Sequence, residues 1–167
     1  HEESVTGVAF SPGGEWLASC SEDGSVVVIE TFSGRVAQRF EGHAGASLAV
    51  AFSPDARYLV SGGRDRRIKV WDLEAGQGRF DLATHHTERI VALDWARDGM
   101  HLVSASGDGS VAVWSATDGS MSSSMHGHRG AVHDVVFSHD SRALFTAGED
   151  RTVRMWSADT GKGLRVF

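Results

Sequence analysis

The amino-acid sequence predicts an all-β protein in which one structural unit is repeated four times. Three observations predict this fold class: a histidine-to-aspartate interval that recurs, short apolar runs that alternate with period two, and turn residues that bound those runs. No segment carries apolar residues at three- and four-residue spacing over ten or more positions, as an amphipathic helix would require. We therefore expect small β-sheets and no helical layer.

The repeat is measured from a histidine in each unit. An aromatic residue lies nine positions after that histidine and an aspartate 22 positions after it. The members are His1, Phe10 and Asp23; His43, Phe52 and Asp65; His86, Trp95 and Asp108; and His128, Phe137 and Asp150. Successive histidines are 42, 43 and 42 residues apart. This register divides a single domain, residues 1–167, into repeats of about 1–41, 42–84, 85–126 and 127–167.

Four strands are predicted in each unit. The inner strand ends at the aromatic residue, the second covers Trp16–Cys20 and its equivalents, and the outer strand is of the type Val36–Phe40. The third strand ends at one position in every unit, which is occupied by Ile29, Trp71, Trp114 or Trp156. Residues Ser120–Ser124, with the methionines beside them, are interpreted as an outer loop.

These residues resemble the WD-repeat β-propeller family. Gly42-His43 and Gly127-His128 match the Gly-His signature of that family, and Trp71-Asp72 matches its Trp-Asp pair. The departures are Ile29-Glu30 in the first repeat, His85-His86 in the third, and Trp114-Ser115 and Trp156-Ser157 in place of Trp-Asp in the third and fourth. The resemblance covers nearly the whole chain and implies four-stranded antiparallel blades, four of them, arranged around a central axis.

The resemblance also implies a buried hydrogen-bond network in each blade. An aspartate accepts from the histidine and from backbone N–H groups, the histidine pairs with a Ser or Thr hydroxyl, and that hydroxyl accepts from the indole. By register the members are His43, Ser61, Asp65 and Trp71; His86, Ser104, Asp108 and Trp114; His128, Thr146, Asp150 and Trp156; and, without an indole, His1, Ser19 and Asp23.

Catalytic and metal sites are alternative interpretations of the same residue types. Ser, His and Asp also form the triad of hydrolases, but here the set recurs in every repeat and no Gly-x-Ser-x-Gly elbow accompanies it. The nine histidines and the single cysteine do not supply two ligand pairs at the spacing that zinc sites require. We expect no enzymatic activity, no cofactor and no metal, and an enzyme with a site in the central channel is the weakest alternative.

Composition limits the class of partner. The formal net charge of −6 does not suit a protein that binds nucleic acid through phosphate contacts. No run of about 18 apolar residues is present, so no membrane-spanning helix is expected. The lone Cys20 cannot form an intramolecular disulfide, which fits a reducing, cytoplasmic location, and it is expected to be a small buried hydrophobe.

The expected partner is a protein or peptide. The resemblance implies binding through the loops before the inner strand and between the second and third strands. By register, the candidate binding residues are Ser4, Thr6 and Glu22; Ala46, Leu48 and Arg64; Arg89, Val91 and Gly107; and Ala131, His133 and Glu149. A basic cluster of Arg64, Arg66, Arg67 and Lys69 is interpreted as the polar edge of a turn, with docking of an acidic peptide as the alternative.

Four blades sweep only roughly 180–206° of a seven- or eight-bladed ring. The outer faces of the two end blades would then expose apolar side chains to water. Three arrangements would cover them: head-to-tail association of two copies, the blades of a longer chain, or tight closure of four blades alone. The resemblance implies a protein-interaction scaffold, and the main alternative is a self-assembling half-propeller that has no other partner.

Overall fold

The computed structural model describes residues 1–82 and 84–167, and these residues form β-strands, turns and connecting segments. Four antiparallel sheets each contain four consecutive strands. The strands of the first two sheets are β1 (Val5–Phe10), β2 (Trp16–Ser21), β3 (Val26–Glu30), β4 (Val36–Phe40), β5 (Ser47–Phe52), β6 (Tyr58–Gly63), β7 (Ile68–Asp72) and β8 (Gln77–Leu82). Those of the third and fourth sheets are β9 (Ile90–Trp95), β10 (His101–Ser106), β11 (Ser110–Ser115), β12 (Met121–His126), β13 (Val132–Phe137), β14 (Ala143–Gly148), β15 (Val153–Ser157) and β16 (Gly163–Val166).

The predicted all-β fold with four blades is confirmed. The outer-loop interpretation of Ser120–Ser124 was wrong, because most of this segment belongs to β12 and pairs with β11. Serine and methionine are weak strand signals, but Met125 pairs with Val111 and is buried in the core between the third and fourth sheets. Burial of this one side chain outweighs the low strand propensity of its neighbours.

Period-two alternation sends successive side chains of a strand to the two faces of its sheet. In β6, Leu59 joins the core between the first and second sheets, whereas Val60 joins the core between the second and third. Trp71 packs toward the preceding sheet, where it stacks on Phe40 with 4.9 Å between the ring centroids. Each interior sheet is therefore covered on both faces by its neighbours.

Polar contacts also join neighbouring sheets. The Thr6 hydroxyl donates to the carbonyl oxygen of Ser47 over 2.5 Å. The Gln38 amide donates to the carbonyl oxygen of Leu73 over 2.6 Å. Between the third and fourth sheets, Asp94 accepts from the backbone N–H of Phe137 over 2.7 Å, and burial raises the pKa of this carboxyl group. The sheets are thus held in register by hydrogen bonds as well as by apolar packing.

The inner strands β1, β5, β9 and β13 lie side by side in an arc. The arc is open, because the outer faces of its two end sheets are exposed. Phe10 is 62% exposed, whereas the equivalent Phe52 of the second sheet is 7% exposed. We call the outer surface of the first sheet the leading face; by register it carries Val8, Phe10, Leu17 and Ile29. The outer surface of the fourth sheet is the trailing face, and it carries Val136, Phe145, Val153, Met155 and Phe167.

The turn between the second and third strands of each sheet requires one residue in the left-handed backbone region. Glycine occupies this position in the first and third sheets, as Gly24 (φ 79°) and Gly109 (φ 85°). Arg66 and Arg151 occupy it in the second and fourth sheets, each with φ 65°. For a residue with a Cβ this conformation costs about 1 kcal/mol. The same turn is therefore formed at unequal cost in the four blades.

Candidate functional site

The second blade contains the complete hydrogen-bond network. His43 Nε2 lies 2.8 Å from Ser61 Oγ, and the Trp71 indole N–H donates to the same oxygen over 2.8 Å. The Ser61 hydroxyl therefore donates its single hydrogen to Nε2, and Nδ1–H of the imidazole donates to Asp65 over 3.0 Å. In the fourth blade His128, Thr146, Asp150 and Trp156 form the same chain over 2.7–2.9 Å.

The third blade departs from the expected pattern. His86 Nε2 is 2.7 Å from Ser104 Oγ, but Nδ1 is 2.7 Å from Ser110 Oγ and 3.8 Å from Asp108. The Ser110 hydroxyl in turn donates to Asp108 over 2.5 Å. In this blade a hydroxyl thus bridges the imidazole and the carboxylate, whereas a direct contact between them was expected.

The same bridge occurs in the first blade. Ser25 lies between His1 and Asp23, with hydrogen bonds of 2.8 and 2.6 Å. Its sequence signal is a serine two residues after the aspartate. In the second blade this position is Arg67, and there the imidazole contacts the aspartate directly.

One feature of the network is common to all four blades. The aspartate accepts from the backbone N–H of the residue that follows the histidine, over 2.6–3.1 Å. It also accepts from the backbone N–H two residues after itself, over 2.8–3.2 Å. This carboxylate therefore ties the loop before the inner strand to the turn between the second and third strands.

Burial and hydrogen bonding set the charge states in the network. Burial lowers the pKa of His43 and of His86, so both imidazoles are neutral near pH 7. Burial opposes ionisation of Asp108, but hydrogen bonds from the Ser110 hydroxyl and from the backbone N–H groups of Thr87 and Ser110 lower its pKa to about 2. Ser61 is fully buried and its hydrogen bonds are satisfied within the blade. The Ser61 hydroxyl therefore has no access to a substrate. The network instead has a structural role, and we call it the clamp.

The two loops of each blade that carry the candidate binding residues lie side by side. In every blade the residue before the aspartate donates its backbone N–H to the carbonyl oxygen of the residue three positions after the histidine. The pairs are Glu22 to Ser4, Arg64 to Ala46, Gly107 to Arg89 and Glu149 to Ala131, at 2.8–3.0 Å. We call the surface formed by these loops the top face. The network below them holds their backbones in place.

Exposure divides the candidate binding residues into three groups. Ser4, Glu22, Arg64, Arg89, His133 and Glu149 are exposed, and Thr6, Leu48, Val91, Gly107 and Ala131 are half-buried. Ala46 is buried and its side chain packs inside the protein, although its position along the loop matches that of the exposed Arg89. The assignment of these residues to a binding surface stays a prediction.

The basic cluster separates into two parts. Arg67 and Lys69 both pair with Asp81 of the outer strand, at 3.4 and 2.7 Å. Arg64 and Arg66 instead line a shallow cleft on the top face together with Arg89. Cys20 is buried and lies beside Thr6, as expected for a small apolar side chain.

Taken together, antiparallel four-stranded sheets in an arc and a His–Ser/Thr–Trp network define a β-propeller of WD-type blades. Comparison with known proteins agrees: the family model described as "WD domain, G-beta repeat" matches residues 1–30, 34–72, 79–115 and 119–157. The chain belongs to the WD-repeat family. Members of this family act in general as protein-interaction scaffolds.

Individual relatives are similar over nearly all of this chain. Telomerase protein component 1 of Rattus norvegicus is 32% identical over 169 residues, which cover 93% of this chain and 6% of that protein. Apoptotic protease-activating factor 1 of the same species is 30% identical over 156 residues, or 93% of this chain and 12% of the relative. The solved structure of U3-55K superimposes with a TM-score of 0.89 at 29% identity and covers 100% of this chain and 52% of that one. The chain thus spans only a small part of these curated relatives.

Removal of one network hydroxyl tests the energetic role of the clamp. In Ser61→Ala the His43 imidazole and the Trp71 indole each lose a buried partner, so we expect the free energy of unfolding to fall by about 1–3 kcal/mol. Urea denaturation followed by tryptophan fluorescence measures the change. Ser122→Ala on the exposed outer strand is the control and should change stability by less than about 0.5 kcal/mol. Equal effects of the two substitutions would contradict a stabilising network.

Acidification should destabilise the fold in two steps. The unfolded chain takes up protons on His43 and His86 below about pH 6.5, whereas burial lowers the pKa of these imidazoles in the folded state, so that the folded chain takes up these protons only at lower pH. Stability is therefore complete above about pH 6.5 and falls as the pH is lowered from there. Asp108 is more acidic in the folded state, so a second loss is expected as the pH falls from about 4 to about 2.

Thermal melting between pH 8 and pH 2 measures both steps. His139→Asn, which removes an exposed imidazole, should leave the first step unchanged. A melting temperature that stays constant or rises between pH 7 and pH 5 would show that the buried imidazoles do not control stability.

Proposed function

We propose that this chain is a protein-interaction scaffold that binds a protein or peptide through its top face. The observation that carries the proposal is the backbone hydrogen bond that joins the two top-face loops in every blade. Because these loops are already held in place, a partner that binds them orders little additional backbone. The exposed side chains Glu22, Arg64, Arg89 and Glu149 offer charges of both signs, and His133 adds an exposed polar group.

A binding role is also supported over a catalytic one. Ser19, Ser61, Ser104 and Thr146, the hydroxyl groups of the Ser/Thr–His–Asp sets, are buried and bonded within their blades. A nucleophile needs access to its substrate, which these positions do not offer. A cytoplasmic location for this scaffold remains a proposal that rests on the lone, buried Cys20.

The leading and trailing faces are proposed as blade-to-blade interfaces. Their side chains occupy the same register positions as the residues that form the three interior cores. Covering Phe10 and its neighbours would be favourable by about 25 cal/mol for each Å² of apolar surface removed from water. For this chain by itself, we propose that two copies associate head to tail, so that each leading face meets a trailing face. In a longer protein, additional blades would occupy the same faces.

The top-face proposal is tested with two matched variants. Glu22→Lys, Arg64→Glu and Arg89→Glu together reverse three charges on the top face. Glu15→Lys, Arg97→Glu and Arg142→Glu together make the same charge changes in turns of the opposite face. Affinity capture from cell lysate with quantitative mass spectrometry is expected to show partners that bind the wild type and the second variant but not the first. Retention of every partner by the top-face variant would refute the proposal.

The end-face proposal predicts a change in mass. The wild type should have the mass of two chains at micromolar concentration and dissociate on dilution, whereas Phe10→Asp should remain a folded single chain. Light scattering measures the mass and circular dichroism the fold. Phe32→Asp is the control, because Phe32 is fully exposed (101%) in the turn between β3 and β4 and lies outside both faces. A wild type that is a single chain at these concentrations would overturn two-copy association.

A further inference from the structure

The top face contains one cleft whose charge differs from that of the chain as a whole. It lies between the second and third blades and has a volume of about 410 Å³. Arg64 and Arg66, on either side of Asp65, line one wall, and Arg89, just before β9, lines the other. Thr87 and Glu88 complete the lining. Three arginines and one glutamate give the cleft a charge of +2 in a chain whose formal net charge is −6.

The backbones of the three arginines are held in place by hydrogen bonds. The Arg64 N–H donates to the carbonyl oxygen of Ala46 over 2.8 Å, and the Arg89 carbonyl oxygen accepts from the Gly107 N–H over 3.0 Å. The Arg66 carbonyl oxygen accepts from the Thr84 hydroxyl over 2.5 Å. The side chains themselves are exposed. The cleft is therefore a fixed backbone frame that carries three solvent-exposed guanidinium groups.

These guanidinium groups lack the carboxylate partners that four other arginines of the protein have. Arg39, Arg57, Arg67 and Arg154 each pair with a carboxylate within 4 Å. Over residues 1–82 and 84–167, the side chains of Arg64, Arg66 and Arg89 form neither an ion pair nor a hydrogen bond. Glu88 is the carboxylate in the lining, and its side chain is directed over Gly107. The positive charge of the cleft is therefore available to a ligand.

Comparison of the blades indicates that the fold does not need these arginines. At the junction of the first and second blades the equivalent residues are Glu22, Gly24 and Ala46, and at the third junction they are Gly107, Gly109 and Ala131. All three junctions have the same strand geometry. Arg66 also adopts a left-handed backbone where two other blades have glycine. Arg151 has the same backbone conformation in the fourth blade, so the turn itself does not explain why three arginines gather at this junction.

We propose that this cleft binds an acidic peptide segment of a protein partner, with side-chain carboxylates paired to Arg64, Arg66 and Arg89. The inference rests on the proposed function, because it names the chemistry of the partner that the top face accepts. Guanidinium groups present planar pairs of N–H donors that match a carboxylate, and three of them on two walls suit carboxylates spaced along an extended peptide.

A short peptide fits better than a long polyanion. Glu88 within the cleft and the net negative charge of the chain would repel a continuous phosphate backbone. A peptide can place its carboxylates on the arginines and offer a backbone N–H to Glu88. Because the cleft is open to solvent, the pairing should weaken as the salt concentration rises.

The test measures the binding of two fluorescent peptides to the full chain by fluorescence anisotropy. One peptide has four glutamates separated by glycines, and the other has glutamine in place of each glutamate. The glutamate peptide should bind at least about tenfold more tightly than the glutamine peptide, with weaker binding at high salt. The cleft variant combines Arg64→Gly, Arg66→Gly and Arg89→Ala. The affinity of this variant for the glutamate peptide should fall at least about tenfold. The variant should still fold normally, because each introduced residue already occurs at the same position of another blade.

A charge-matched control separates the cleft from net charge. Arg35→Ala, Arg97→Ala and Arg142→Ala together remove the same three charges from exposed turns elsewhere, and binding should be retained. The inference would be overturned if the two peptides bound equally or if the cleft variant bound as well as the wild type. It would also be overturned by an equal loss of binding in the control variant, or by a preference for inorganic phosphate or a single-stranded oligonucleotide. If no acidic peptide binds but the top-face charge reversal still removes captured partners, the scaffold proposal stands and the cleft assignment fails.

Discussion

Each sheet of this protein has two apolar faces, and four short strands cannot bury both of them. A blade therefore buries both of its faces only when it lies between two others. This constraint explains why Leu59 and Val60, neighbours in one strand, belong to two different cores. It also explains the exposed Phe10 and Phe167, since each end blade lacks one neighbour. Stacking determines the arc, and the end faces are its direct consequence.

Stacking of the sheets does not determine the conformation of the loops at the edge of each blade. Hydrogen bonds to buried polar groups hold these loops in place. The aspartate of each network accepts backbone N–H groups from two loops at once. In a buried site a carboxylate that lacked these donors would be costly, so the loops are constrained to supply them. The resulting support is the same in every blade, while the exposed residues differ from blade to blade. A common scaffold with variable surface residues is well suited to recognition of another protein.

The difference between support and surface is clearest at the junction of the second and third blades. Asp65 accepts the two backbone N–H groups that the aspartate of every blade accepts, while Arg64 and Arg66 on either side of it are particular to this junction. Residues so close in sequence therefore perform different tasks, because their side chains point to different environments. The basic cleft arises because the equivalent positions of the other two junctions carry glycine, alanine or glutamate in place of these arginines.

The sequence by itself determined the repeat, the order of the strands and the histidine, Ser/Thr, aspartate and tryptophan positions of the network, because these follow from local periodicity and fixed spacing. It could not determine that β12 forms from a serine-rich segment, because that strand depends on the burial of Met125 against another sheet. Nor could it show that Ser110 bridges His86 and Asp108, or that Ala46 is buried while Arg89 is exposed. The division of the basic cluster between Asp81 and the cleft was likewise decided only in three dimensions. These features depend on distances between side chains that approach one another only when the blades stack.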